Sequence, residues 1–249
     1  MWCVRRVRAA TVVVAAVVFC CVGVLPRQAS AGGDDDEAHV ILFSGRDFWR
    51  NGGFLYGGLL IAPSGFERDG VMLKLLYSGG LYRYNAGNLG GAEVVGAEVL
   101  GAVMPGWRIK RGPVEMKFFF GPELQYHRLW PDDPANRLRG RQVGLRMATE
   151  LWAEPTPTTM VAADASLSSI GSNYAARLAF GWHLFDQCYV GPESQVYGGD
   201  GYAQLRFGLH VTSLKTEGDV EWSAGVGWAI DSGRRSSPYL RLNMMRKVD

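Results

Sequence analysis

The sequence predicts an all-β chain closed into an antiparallel up-and-down β-barrel of outer-membrane type, with about twelve strands and ten as the alternative count. Three observations carry this. From about Val71 to Met244 the chain runs in segments whose residues alternate apolar and polar, each about the length of a membrane-crossing strand. Its 33 glycines are scattered through nearly every apolar segment, at about 1 kcal/mol each against a helix, and no 3.6-residue period emerges. Beyond the N-terminal region no apolar stretch is long enough for a spanning helix, so a membrane reading requires a barrel.

The elements follow in order. Arg5, Arg6 and Arg8 precede an uncharged apolar run, Ala9 to Leu25, and the small residues Ala29-Ser30-Ala31. This is the pattern of a signal peptide spanning 1–31, cleaved before Gly32. Cys20 and Cys21 lie inside the apolar run, which argues against a lipid anchor. Residues 32–37, with Asp34, Asp35, Asp36 and Glu37, read as a flexible acidic tail. The barrel domain is expected over 38–249.

Its strands are expected at 38–44, 53–63, 69–84, 91–108, 114–128, 139–153, 159–169, 173–185, 188–197, 200–214, 217–231 and 237–247. The eighth is the cleanest. Tyr174, Ala176, Leu178, Phe180, Trp182 and Leu184 share one face, while Asn173, Ala175, Arg177, Ala179, Gly181 and His183 share the other. Tyr174 and Trp182 bracket about 26 Å of strand, or about 20 Å along a membrane normal after tilting. If both barrel ends of the chain are periplasmic, connections after even-numbered strands should be short. Arg111-Gly112-Pro113, Glu154 to Thr158, Asp186-Gln187 and Lys215-Thr216 fit, Leu129 to Leu138 and Ser232 to Ser236 form longer opposite connections, and a tight Gly198-Gly199 turn is the exception.

The apolar faces exclude charge. None occurs on Val114, Met116, Phe118, Phe120, Pro122, Leu124 and Tyr126, nor on Val220, Trp222, Ala224, Val226, Trp228 and Ile230. A mid-membrane charge costs about 2–4 kcal/mol, so lipid contact explains the exclusion. The opposite faces bring Glu115, Lys117, Glu123, Arg146, Glu150, Arg177, Arg206 and Arg241 into one interior. A soluble antiparallel sandwich or barrel would put that polar face in water and is the competing architecture. The C-terminal Met244-Met245-Arg246-Lys247-Val248-Asp249 lacks the terminal aromatic of an outer-membrane assembly signal and departs from the expected pattern.

Charge and motifs narrow the function. Removing 1–31 takes four arginines and no acid, leaving 22 basic against 24 acidic residues. No concentrated basic patch suggests nucleic acid. Of the four cysteines only Cys188 lies beyond residue 31, so no internal disulfide is expected. No Gly-x-Ser-x-Gly elbow, His-Glu-x-x-His helix or Walker loop is present, and no catalytic residue, metal site or cofactor is assigned. His127, His183 and His210, with Glu123 or Glu193, are the residues an outer-membrane enzyme acting on lipid or polysaccharide would use, and ordinary hydrogen-bonded interior histidines are the competing explanation.

One constellation stands out: Gly121-Pro122-Glu123-Leu124-Gln125 recurs as Gly191-Pro192-Glu193-Ser194-Gln195. In each copy Pro faces outward and Glu and Gln inward, and the proline is expected to mark a bulge or bend. The carboxylates then either pair with inward arginines or act on polysaccharide hydroxyls. Inward aromatics by parity are Tyr82, Trp152, Tyr189, Tyr197, Tyr202 and Tyr239, each a flat surface for a sugar ring or simple interior filling.

The chain resembles the cellulose biosynthesis protein BcsS family. The resemblance rests on Phe43-Ser44-Gly45-Arg46-Asp47, Asp69-Gly70, Tyr82-Arg83-Tyr84 and both Gly-Pro-Glu segments. Gly140-Arg141-Gln142-Val143-Gly144-Leu145, Glu150-Leu151-Trp152-Ala153-Glu154-Pro155-Thr156-Pro157 and Arg206-Phe207-Gly208-Leu209-His210 extend it over essentially the whole chain beyond the signal. It implies a Gram-negative envelope protein that assists cellulose biosynthesis, secretion or anchoring of the exported glucan, with outer-membrane lipid, cellulose and cellulose-export components as partners. It transfers no catalytic residues. Glu123, Glu193, Arg146, Arg177, Arg206, Trp152, Tyr189 and Tyr202 are the expected glucan or lumen contacts. A soluble periplasmic β-barrel binding module is the remaining alternative.

Overall fold

A computed structural model describes residues 38–248 except 186, 217 and 218. The expected signal peptide and acidic tail, and part of the expected 186–187 turn, lie outside the described residues.

Twelve strands follow one another: β1 (Val40–Trp49), β2 (Gly52–Ile61), β3 (Gly70–Ala86), β4 (Ala92–Arg111), β5 (Val114–Trp130), β6 (Gly140–Thr156), β7 (Thr159–Ser168), β8 (Tyr174–Leu184), β9 (Cys188–Gly199), β10 (Tyr202–Thr216), β11 (Val220–Asp231) and β12 (Ser236–Val248). Each pairs with its sequence neighbours, and β1 pairs antiparallel with β12 from Val40↔Val248 to Trp49↔Tyr239. Closure leaves no free sheet edge. The count is twelve rather than ten.

Boundaries shift where local chemistry obscures the pattern. The first strand starts later and runs five residues further than expected, because Ser44 and Arg46 occupy its outer face and break the alternation. Gly198 and Gly199 belong to β9, and the turn is made by Asp200 and Gly201, both at positive φ. At the end where β1 begins and β12 stops, here the turn end, the connections after β4, β6, β8 and β10 are short, as expected. The connection after β2, residues 62–69, is longer. It sends Phe66 into an apolar cluster with Leu60, Met72, Met104 and Phe119. The opposite, loop end carries the longest connection, 131–139.

Of the expected bulge or bend at the prolines of the repeated segment, the bulge is absent. Pairing between β4 and β5 stops at Ala102↔Glu123 and resumes at Gly106↔Phe119 in the same register. Pairing between β8 and β9 stops at Ala179↔Glu193 and resumes in register at Trp182↔Val190. Each proline removes a ladder donor without inserting a residue. A Cβ on Gly121 or on Gly191 would lie 2.0 Å from a carbonyl oxygen of the preceding strand, so the close strand approach beside each proline requires glycine. True register shifts occur between Ala153 and Thr156 in β6 and between Val211 and Leu214 in β10, where Ser213 has a φ of 58°.

The alternation sorts the side chains. Phe118, Phe120, Leu124 and Tyr126 of β5 are exposed, while Phe119, Glu123, Gln125 and His127 between them are buried. Trp222 and Leu178 face outward, and Phe180 packs edge-on against the exposed Trp182. Outward aromatics gather in two belts, Trp107, Trp182 and Trp222 near the turn end and Phe48, Trp130, Tyr174 and Trp228 near the loop end. An exterior that is apolar between two aromatic girdles except at Arg46, on a closed barrel, is the surface of an outer-membrane protein.

Candidate functional site

The interior is polar where the exterior is apolar, and its centre is a cavity of about 1630 Å³. Its lining includes loop-end residues Asn88, Asn136, Asp200 and Arg235, and it reaches down the wall to Ile41, Glu221 and Met245.

The two Gly-Pro-Glu-x-Gln segments build matching hydrogen-bond ladders, because Glu and Gln two residues apart on a strand share one face. Gln125 Nε2 donates to Glu123 Oε1 at 2.8 Å, and Gln195 Nε2 donates to Glu193 Oε1 at 2.8 Å. Each ladder then continues along its own strand. His127 Nε2 lies 2.9 Å from Gln125 Oε1, and its Nδ1 lies 3.1 Å from the Tyr82 hydroxyl. On β9 the Tyr197 hydroxyl donates to Gln195 Oε1 at 2.6 Å.

Other strands supply cations to each carboxylate. Arg146 of β6 donates to Glu123 Oε1 through Nε at 2.9 Å and Nη2 at 2.7 Å, while Ser168 Oγ donates to Oε2 at 2.5 Å. Glu193 receives Arg177 Nε at 2.8 Å, Arg241 Nη2 at 2.6 Å and the Tyr239 hydroxyl at 3.0 Å. Neither carboxylate side chain is solvent-exposed. Arg177 also reaches Asp164 at 3.2 Å. This arrangement requires Gly225, since a Cβ there would lie 2.1 Å from Glu193 Oε1.

Arg206 forms a third centre. Its Nη1 donates to both Asp47 oxygens at 2.7 and 2.9 Å, and its Nε donates to Gln204 at 2.7 Å. Its guanidinium lies 4.5 Å from the Tyr197 ring centre and 5.1 Å from those of Trp49 and Tyr239. The loop end is fastened by Asp133, which accepts from the Tyr84 hydroxyl at 2.7 Å and from Asn88 Nδ2 at 2.8 Å. These donors hold the Asp133 carboxyl below the usual range, the Tyr84 hydrogen bond contributing most.

Arg146, Arg177, Arg206 and Tyr202 line the cavity, and Tyr82 and Tyr197 join them. Glu123 and Glu193 are buried behind the arginines they hold. Trp152 meets Tyr189 edge-on at 5.8 Å in a separate cluster with Met160 and Ala179. Tyr189 also stacks on His183 at 4.7 Å. His210 is buried between Thr212 Oγ1 at 2.8 Å and the Phe180 carbonyl at 3.1 Å. His127 on β5 therefore sits apart from His183 and His210, which share the β8 to β10 sector but make different contacts. Among the described residues no group of three or more His, Cys, Asp or Glu side chains could hold a metal ion.

Sequence reasoning missed Asp47 and Trp49, because the first strand was ended before them. It also missed the Asp133 fastening, whose partners come from three separate segments. The Asp132-Asp133 pair in a proline-rich loop was the available signal.

A family model described as Cellulose biosynthesis protein BcsS matches residues 41–248. The chain belongs to this family. The BcsS family chain shows the cellulose-biosynthesis membership together with the closed outer-membrane type of barrel. A search of curated proteins gave no match. Among solved structures, the chain is similar to the translocator domain of the autotransporter NalP from Neisseria meningitidis, at 12% identity and a TM-score of 0.48, covering 97% of each chain. It is also similar to the KdgM porin in complex with disordered oligogalacturonate, at 11% identity and TM-score 0.43 over 84% of this chain and 99% of the other. LpxR from Salmonella typhimurium matches at 9% identity and TM-score 0.45, over 84% of this chain and 100% of the other.

Proposed function

We propose that this barrel is a non-enzymatic outer-membrane accessory of cellulose biosynthesis that contacts exported glucan at the loop-end mouth of its cavity, aiding secretion or anchoring. The observation that carries the proposal is the composition of the cavity wall. Tyr82 and Tyr202 offer ring faces for sugar and Arg146 and Arg177 offer donors for hydroxyl groups, while Arg206, 1% exposed, braces the wall against Tyr197. Glu123 and Glu193 support the non-enzymatic reading, since each carboxylate is enclosed and occupied by several donors, so neither is a free acid or base at substrate reach. Their role is to aim the arginines, while Trp152 and Tyr189 stiffen the wall behind the contact surface. Export with cleavage after Ala31 belongs to the same proposal, and N-terminal sequencing of envelope material should begin at Gly32.

The test is a chromosomal deletion. Extracellular cellulose should fall or lose its organisation, while inner-membrane preparations keep full glucan synthesis. Purified barrel should bind cellohexaose, and Tyr202→Ala should weaken binding severalfold. Unchanged cellulose in the deletion strain would refute the accessory role. Cleavage of cello-oligosaccharides that is lost in Glu123→Gln/Glu193→Gln would refute the non-enzymatic role.

A further inference from the structure

A membrane barrel should keep charge off its outer surface except at the headgroup levels, so the distribution of outward charge near the loop end is informative. Arg83 on β3, Arg128 on β5 and Arg141 on β6 all face outward and are exposed. Arg128 and Arg141 are neighbours on adjacent strands, and Arg83 lies two strands from Arg128. Arg141 pairs with Tyr126, which makes Arg128 its diagonal neighbour, and Arg83 pairs with Val95, whose partner on β5 is Trp130. Arg128 lies 4.9 Å from the Trp130 ring centre, which holds its guanidinium at the aromatic belt. On the outer face of these strands Glu93 reaches Arg83 only at 4.0 Å, with both side chains 60% exposed, and Asp132 of the 131–139 connection is held by Arg139 at 2.8 Å.

The level is set by the strands. Below Arg141 the outer face of β6 is uncharged to Ala153, and below Arg83 the outer face of β3 is uncharged to Val71. Each run spans about 40 Å of strand, or about 28 Å along the normal after tilting, close to the height of the apolar band. The arginines therefore stand just beyond the hydrocarbon on the loop-end side, which faces the outer leaflet when short turns are periplasmic. A merely solvated rim would carry charge all round. Across the barrel the outward positions toward the loop end include Leu167, Tyr174, Leu205, Trp228 and Leu240, and Arg46 on β1 is a further outward arginine outside the β3 to β6 sector.

We propose that this sector of β3 to β6 binds the phosphate groups of an outer-leaflet lipopolysaccharide molecule, with Arg83, Arg128 and Arg141 as ligands and Tyr126 and Trp130 against its acyl chains. Three planar forks on one face suit phosphate oxygens, and no lumen residue takes part. The full barrel, folded in neutral detergent, is titrated with lipid A, dephosphorylated lipid A and inorganic phosphate. Lipid A should bind, its dephosphorylated form should bind at least tenfold more weakly, and millimolar inorganic phosphate should not displace it. Arg83→Gln/Arg128→Gln/Arg141→Gln should lose at least tenfold in affinity, whereas Arg246→Gln at the turn end should not. Where the triple variant fails to show heat-modifiable migration, the single Arg128→Gln variant serves, with a severalfold loss expected. Equal binding by folded variant and parent, equal binding of both lipid A forms, or displacement by free phosphate would overturn the proposal.

Discussion

Replacing Glu193 with alanine isolates the energy held in the lumen. In the native barrel its carboxylate is unexposed and accepts from Arg177, Arg241, Gln195 and Tyr239. Arg177 retains Asp164 after the change, but Arg241, whose side chain is 8% exposed, loses its carboxylate partner. Removing one member of a buried pair costs about 3–5 kcal/mol because the other charge is stranded. With one of two arginines rescued, the low end applies, about 3 kcal/mol. Adding Arg241→Met removes the stranded charge, so the double variant should recover about 2 kcal/mol relative to the sum of the single costs. Urea unfolding in lipid vesicles, followed by tryptophan emission and heat-modifiable gel migration, measures all four corners of the cycle. A cost below about 1 kcal/mol for Glu193→Ala, or simple additivity in the double variant, would refute the claim that this carboxylate holds the arginines in place.

Other outcomes follow from the same geometry. Gly225→Ala should reproduce much of the Glu193→Ala loss without removing a charge, because its Cβ would lie 2.1 Å from Glu193 Oε1; matched unfolding midpoints for variant and parent would contradict it. Phe207→Arg puts a charge on the outer face and should cost about 2–4 kcal/mol if it lies near the membrane midplane, with reduced assembly seen in outer-membrane fractions. The lowered Asp133 pKa means that its contribution is complete above the ordinary unfolded value of about 3.9 and is lost as pH falls through the lower folded value. The 131–139 connection should therefore resist protease at pH 5 and become cleavable only well below pH 4, while Asp133→Asn should be cleavable at both.

Much of the architecture was legible because lipid outside and polar contacts inside enforce a strict two-residue period. Phe118, Phe120, Leu124 and Tyr126 could be assigned to the outer face without coordinates, as could Arg177 and Arg206 to the inner one. β1 was truncated because Arg46 faces outward, against the rule that reveals the other strands. The inward direction of Glu123 and Glu193 was readable, but their partners were not. Arg241 comes from a strand three positions away from β9, and the curling of the sheet across β10 and β11 brings it there. The prolines were recognised as ladder interruptions, yet whether a residue is inserted depends on the register of the neighbouring strand, which one segment does not contain.

Three ionic ties each join strands three places apart around the ring: Lys74 of β3 to Glu150 of β6, Glu193 of β9 to Arg241 of β12, and Arg206 of β10 to Asp47 of β1. Each acts as a chord under about a quarter of the circumference. A hoop strapped in this way resists flattening into an oval, because such a distortion changes the length of these chords, and so either pulls buried charges apart or presses them together. A polymer entering the bore would meet a wall of fixed gauge. Passage would then depend on the swing of individual rings and guanidinium groups, rather than on the barrel swelling to let it by.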